Sequence, residues 1–257
     1  MGDSRRFVKR RAAAPAGFFR AEAAGLAWLA AADARVASVL AVDDAHIELE
    51  RLHLAAPTRA AAARLGQQLA TMHAAGAQYF GAPPDGYAGQ LYIGNRPMPS
   101  ARHESWGAFY VENRVQPFLE IAMSAGSVTA AQRRDIDAAC DLVAEGVFDD
   151  DEPPARLHGD LWSGNVVWTA EAAVLIDPAA HGGHRETDLA MLHLFGCPYL
   201  DVILDAYDDV RPLRSGWRAR VPLHQLHPLA VHAAGYGASY GQALHHAALR
   251  TAELAGS

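Results

Sequence analysis

His158-Gly159-Asp160-Leu161-Trp162-Ser163-Gly164-Asn165, followed shortly by Val174-Leu175-Ile176-Asp177-Pro178, constrains this chain more than any other stretch of it. Two apolar runs, 165–169 and 173–177, flank Ala170-Glu171-Ala172, and that spacing predicts a β-hairpin with a short connection. In an antiparallel pair, the start of the first strand and the end of the second lie at the same end. Asn165 and Asp177 should therefore emerge together, beside Asp160 on the loop ahead of the hairpin.

Three oxygen-bearing side chains gathered in this way suit phosphoryl transfer. That chemistry needs one carboxylate to orient and deprotonate the attacking hydroxyl. It also needs a second carboxylate and an amide oxygen to hold magnesium against the phosphates of ATP. Asp160, Asp177 and Asn165 fit those places respectively. An Asp, an Asn five positions on, and an apolar strand ending in Asp make up the kinase catalytic-loop and metal-Asp order, here with His-Gly-Asp in place of His-Arg-Asp.

At 257 residues the chain is long enough for one large or two modest domains, and its 51% hydrophobic and 20% charged residues are those of an ordinary globular protein. A net charge of −7 argues against nucleic acid or an anionic membrane as the main partner, so any phosphate site must be built from local basic groups. The two cysteines, Cys140 and Cys197, lack metal-ligand spacing. No apolar run approaches membrane-spanning length, and the basic start lacks the apolar stretch of a signal peptide. These features predict a cytoplasmic location.

Phe7-Val8-Lys9 reads as a strand and residues 17–32 as a helix. Phe19, Ala23, Leu26 and Ala30 form the apolar stripe of that helix, and Glu22 lies inside it. An inward carboxylate needs a partner, since an unpaired buried charge costs several kcal/mol. Lys9 is the natural candidate, because a strand lysine paired with a helix glutamate is how kinases hold the lysine against the α- and β-phosphates. Runs 36–40 and 46–52 suggest two more strands. Glu50 and Leu52 then fall where backbone groups would meet adenine, at the passage from a first unit, 1–52, to a second, 53–257.

Residues 58–75 read as a helix with Leu65, Leu69 and Met72 at helical spacing, and His73 on its inner face is expected to be a packed histidine rather than a ligand. Residues 77–101, rich in Gly and Pro, read as a long loop whose segment from Tyr79-Phe80-Gly81 through Ile93-Gly94-Asn95 helps shape a substrate entrance. A helix over 106–123 follows, then one opened by a Thr129/Gln132 capping box with Ile136, Cys140 and Val143 inward. The tail from 198 is expected to be helical, with interruptions at Pro212, Pro222 and Pro228. A metal-hydrolase cluster of His158, Asp160, Asp177, His181 and His184 is an alternative, but it would have no use for Asn165 or for an inward Lys9–Glu22 pair.

Taken together, these segments resemble the fructosamine kinase (ketosamine-3-kinase) family, relatives of the aminoglycoside phosphotransferases, from about residue 7 to about residue 240. The resemblance is carried by Phe-Val-Lys at 7–9, Phe19-Arg-Ala-Glu22, Leu69-Ala-Thr-Met-His73 and Gln116-Pro117. The most specific letters are His158-Gly-Asp-Leu-Trp-Ser-Gly-Asn165, Ile176-Asp-Pro-Ala179 and Gly183-His-Arg-Glu-Thr-Asp-Leu-Ala190. Trp162 is the discriminating residue, because aminoglycoside and choline kinases share only the His-Gly-Asp frame.

The resemblance implies an α+β, two-lobed protein-kinase-like fold and transfer of phosphate from ATP, with Mg2+, to the sugar O3 of a ketosamine. It implies Asp160 as base, Asn165 and Asp177 as metal ligands, Lys9 and Glu22 as the phosphate clamp, and Trp162 as a wall of the sugar pocket. His158 and Asp188 would support the loop. It also implies a glycine-rich hairpin ahead of the clamp lysine; only eight residues precede Lys9, so a small lobe truncated at its start is expected. Another small-molecule kinase of the aminoglycoside or choline type, or a nucleotide-binding chain without turnover, would share most of these letters.

Overall fold

The computed structural model describes residues 5–256. Residues 1–4, and with them any segment ahead of the first strand, lie outside the described residues.

The chain opens with β1 (Arg6–Arg10), α1 (Phe18–Ala30), β2 (Val39–Val42) and β3 (His46–Glu50). The strands form an antiparallel sheet in the order β1-β3-β2, with Lys9 opposite Ile47 and Arg6 opposite Glu50. Alternation along β3 buries Ile47 and Leu49 in the core under α1, and Phe19, Leu26 and Leu29 of α1 meet them there. Gly25 explains how close this layer comes to the rest of the molecule. A Cβ there would stand 3.1 Å from Pro178 Cγ and 3.2 Å from Ala180 Cβ, so the bare backbone lets α1 rest on the segment just after Asp177. Glu22, one turn earlier, is carried to the same place.

The sheet is also tied to the hairpin foreseen in the sequence, β7 (Val166–Trp168) with β8 (Ala173–Leu175), which follows the short strand β6 (Ala155–Leu157) and is paired Val166 to Leu175. Leu175 N donates to Arg35 O at 2.8 Å, and Ala37 N donates to Leu175 O at 3.0 Å. Val36 therefore bridges to Leu175 and does not begin a strand of the first sheet, which starts only at Val39. The expected strand at 36–40 is displaced because its first residues are taken by β8.

Most of the remainder is helical: α2 (Arg59–Ala74), α3 (Trp106–Tyr110), α4 (Gln116–Ser124), α5 (Ala130–Ala144), α6 (Arg185–Leu192), α7 (Leu200–Val210), α8 (Trp217–Tyr236) and α9 (Ala238–Ala255). Thr58 caps α2, and Thr129 with Gln132 makes the full capping box of α5, whose Ile136, Cys140 and Val143 are buried. Both cysteines are free. No helix among the described residues is long and apolar enough to cross a membrane.

Three expectations need correction. First, residues 77–101 are not loop throughout: β4 (Leu91–Ile93) and β5 (Arg96–Met98) pair as a hairpin, with Leu91, Ile93 and Met98 inward and Gly94 at φ +51° in the turn. Three-residue runs embedded among Gly and Pro carry too little periodicity to be read. Second, the helix at 106–123 is broken by a π-helical turn, Val111–Val115, which buries Arg114 completely. Third, Pro222 and Pro228 lie inside α8 and do not end it. Pro228 cannot donate to His224 O, but Tyr110 reaches that carbonyl with its hydroxyl at 2.9 Å and accepts from His227 N at 3.0 Å. The helix survives its proline because a side chain from α3 replaces the missing donor.

Candidate active site

The site is built outward from Asp188 on α6. This buried carboxylate accepts from His158 N at 2.7 Å, Gly159 N at 2.9 Å and His73 Nε2 at 3.2 Å. Burial alone would raise its pKa; the bonds and the neighbouring His73 and His158 hold it below the ordinary carboxylate range. His73 is the packed histidine expected: its Nε2 serves Asp188, and its Nδ1 accepts from Tyr207 Oη at 2.9 Å. Gly159 sits at φ +79°, and a Cβ there would come within 2.2 Å of Ala179 O. The loop can make this turn only with glycine.

His158 fixes the other side of the loop. Its Nδ1 accepts from Asp160 N at 3.3 Å, so its Nε2 is the protonated nitrogen and donates to Ile176 O at 2.9 Å. Burial pushes its pKa down, in keeping with a neutral ring. Both nitrogens are thus committed. Those of His181 are too, Nδ1 to Ala179 O at 2.8 Å and Nε2 to Arg114 Nε at 3.2 Å. His158 and His181 of the alternative hydrolase cluster are therefore structural. His184, Glu186 and His224 do bring ligand atoms within 4.8 Å of one another, but Arg220 already holds Glu186 through two bonds, at 2.6 and 2.9 Å.

Asp160, Asn165 and Asp177 converge as the hairpin geometry demands. Asn165 Nδ2 donates to Asp160 O at 2.8 Å and to Asp160 Oδ2 at 3.1 Å, which turns its carbonyl oxygen away from Asp160. Asp160 has its pKa pushed up to about 7, chiefly by burial; the bond from Asn165 works against this, while Asp177 and Asp188 add to it. Asp177 lies just past β8 with φ +54°, a left-handed conformation that Asp tolerates better than most residues. Its side chain is 46% exposed.

Lys9 joins this group to α1. Its Nζ donates to Glu22 Oε1 at 2.6 Å and also to Asp177. Burial would lower the Lys9 pKa, but the two carboxylates outweigh it and the ammonium is held above its usual value. Glu22 is raised by burial, partly offset by Lys9.

Lys9, Glu22, Asp160, Trp162, Asn165 and Asp177 all line one cleft of about 620 Å³. Trp162 is exposed at 36%; its ring lies over Gly164 and stands edge-on to Phe195, with centroids 5.8 Å apart. It is therefore not a core tryptophan. Glu50 and Leu52 stand apart from this cleft: the Glu50 carboxylate accepts from Ser38 N at 3.0 Å and Ser38 Oγ at 3.1 Å, and Leu52 packs partly buried against the core. The cleft lining also includes residues that sequence reasoning missed, namely Arg11 and Phe18, Tyr92 of β4, and His232 and Tyr236 of α8. His232 and Tyr236 are four apart on one helix, the only local signal they carry. Of the segment expected to shape an entrance, Ile93, Gly94 and Asn95 border the cleft, whereas Tyr79, Phe80 and Gly81 do not, Phe80 being buried in the core.

A family model described as fructosamine kinase matches residues 1–251. The chain belongs to the fructosamine kinase family. A probable ketoamine kinase of Enterococcus faecium is 32% identical over 91% of this chain and 83% of its own length. The crystal structure of a candidate fructosamine-3-kinase from Thermobifida fusca is 48% identical, covers 96% of this chain and 85% of that one, and superposes with a TM-score of 0.90. A choline/ethanolamine kinase family protein from Mesorhizobium loti, 14% identical, shares the fold at a TM-score of 0.60 over 99% of this chain and 83% of its own. The architecture is accordingly the two-lobed α+β kinase-like fold, and membership makes the chain a phosphotransferase with a sugar hydroxyl as acceptor.

Proposed function

We propose that this protein is an ATP-dependent ketosamine kinase that phosphorylates O3 of the sugar moiety, with the small lobe ending near Leu52. The observation that carries this reading is Asp160: a part-buried carboxylate whose pKa is pushed up to about 7, bonded to Asn165, in the same cleft as the Lys9–Glu22 pair. A general base works best when its pKa lies close to the operating pH. Asp160 takes the proton of the O3 hydroxyl as that oxygen attacks the γ-phosphorus of ATP, and ADP leaves.

The remaining residues support that step. The free oxygen of Asn165 and the exposed carboxylate of Asp177 form a hard-oxygen donor set that fits magnesium. Bound there, the ion would neutralise charge on the phosphates. Lys9, held by Glu22, faces the α- and β-phosphates, and the backbone around Glu50 and Leu52 receives adenine. Trp162 covers the apolar face of the sugar. Asp188 and His158 position the loop through the bonds described above.

O3 phosphorylation makes sense as repair. The phosphate sits β to C1, whose protons are acidified by the neighbouring ketone. Loss of a C1 proton with departure of phosphate from C3, then addition of water to the resulting imine, frees the amine. We place this activity in the cytoplasm, on small-molecule or protein-bound ketosamines, with no part for nucleic acid or membrane. The test is ADP release with magnesium against fructosamines, ribulosamines, erythrulosamines, an aminoglycoside and choline. Turnover confined to the ketosamines is expected; turnover only of the aminoglycoside or choline would overturn the reading.

A further inference from the structure

The charges lining the cleft are not evenly matched. Its acidic residues, Glu22, Asp160 and Asp177, cluster at the reaction centre, and two of them are already taken by Lys9. Arg10 and Arg11 also line the cleft, and among the described residues neither meets a carboxylate. Arg11 is the better placed of the two: its Nη1 donates to Asn95 Oδ1 at 2.8 Å, and its guanidinium lies 5.0 Å from the Phe18 ring centroid. A neutral amide and an aromatic face steady the group while leaving its charge unanswered.

Its position assigns it to the acceptor. Along β1, Arg6 pairs with Glu50, where adenine is proposed to bind, and the strand then runs past Lys9 away from that end. Arg11 is two residues beyond Lys9, roughly 6–7 Å farther from Glu50 at strand spacing. Phe18 lies against it and Tyr92 stands edge-on to Phe18, an aromatic wall with no acidic residue, while His232 and Tyr236 line the same cleft. The β4–β5 hairpin holds this wall in place: Tyr92 Oη donates to Ala16 O at 3.1 Å, and Arg96 Nη2 donates to Ala234 O at 2.6 Å. The cleft, about 620 Å³, takes in both Lys9 and Asp177, where the phosphates are proposed to lie, and Arg11 with Tyr92.

We infer that the acceptor is the ketosamine of a free amino acid, and that Arg11 recognises its carboxylate. This rests on the ketosamine reading above and narrows it. A protein-bound adduct has spent that carboxylate in a peptide bond, and a polycationic aminoglycoside would meet Arg11 with the wrong sign. A guanidinium suits a carboxylate because its donors form a planar fork matching the two oxygens.

The experiment compares two acceptors that differ only in that group, the ketosamine of glycine and that of glycinamide, with the same sugar. The wild-type protein should favour the carboxylate by about tenfold in kcat/KM, mainly through KM. Arg11→Met should bring the ratio close to one, and Arg11→Lys should keep part of it. Asn95→Asp, which answers the guanidinium without truncating it, should lower the ratio as well, so the inference does not hang on one variant's folding. A wild-type ratio near one, a ratio unmoved by these variants, or an Arg11→Met whose KM rises for ATP instead would overturn the assignment. Turnover of both acceptors at equal rate sinks this inference alone; turnover of neither sinks it together with the kinase reading.

Discussion

Asp160 and Asp177 face the same cleft and are held in opposite ways. Asp160 stands in a loop whose backbone is gripped by Asp188 and His158, with Asn165 bonded to its carboxylate. Asp177 is half exposed, sits in a left-handed turn, and is restrained by an ion pair with Lys9. One half of the site is thus organised by buried hydrogen bonds, the other by charges that neutralise one another. The difference matches the proposed work: a base must keep its place and its raised pKa, whereas a metal ligand must be reachable and able to exchange partners.

The sharpest way to break that comparison is Asp177→Asn. Asparagine keeps the tolerance for positive φ but loses the charge, so magnesium-dependent turnover should vanish while the melting temperature hardly moves. Wild-type activity would remove Asp177 from the metal site, and a large drop in melting temperature would show that the open half is a structural bond after all.

Asp160→Asn should lower kcat by roughly 10²–10⁴-fold with the KM for ATP near wild type. The wild-type kcat/KM should show an acidic limb near pH 7, since only the ionised carboxylate takes a proton. Stability should move the other way. The folded-state pKa of about 7 lies above the ordinary 3.8, so the stabilising contribution of the proton is complete below pH 3.8 and is lost as pH rises through 7. Without magnesium, Asp160→Asn should therefore be the more stable protein at pH 8, on the order of 1 kcal/mol or more, with the gap closing by pH 4. A variant less stable than wild type at pH 8 would contradict the buried-charge account.

Much of this arrangement was legible in the sequence because its determinants are local. Eight consecutive residues, 158–165, carry the proposed base, its turn and the amide, and the inward Glu22 shows within a single helical stripe. The wall proposed for the acceptor was not legible. It is assembled from Arg11, Phe18, Tyr92, His232 and Tyr236, which meet only after folding. Pro228 misled for the same reason: the hydroxyl that satisfies the carbonyl it leaves free belongs to Tyr110, 117 residues from the His227 that it also contacts. Glu50 and Leu52 were placed by chain position alone, and they stand outside the cleft where the other site residues gather.

Asp188→Ala probes the organised half without touching the reacting atoms. It strands the amides of His158 and Gly159 and the ring of His73, all buried. The expected loss is about 3–5 kcal/mol of unfolding free energy, read by denaturant titration, with activity falling in the folded fraction as the loop loosens. Asp188→Asn, able to accept at one oxygen only, should lie in between. A loss below about 1 kcal/mol would mean that the loop is held chiefly by the hairpin.

The smallest effect is expected at Trp162, and it bears most directly on the acceptor. The ring is neither buried in a core nor loose, because it is propped over Gly164 and against Phe195. Trp162→Ala should therefore cost little stability but remove a face worth about 1–3 kcal/mol to a bound sugar, appearing as a raised KM for ketosamine with the KM for ATP little changed. Trp162→Phe should recover part of it, since a smaller ring can still rest on Gly164. If Trp162→Ala instead lowers kcat with the sugar KM intact, the ring orders the loop that carries Asp160 and does not bind the acceptor. Sugar affinity would then have to come from the α8 wall, and His232→Ala would become the decisive variant.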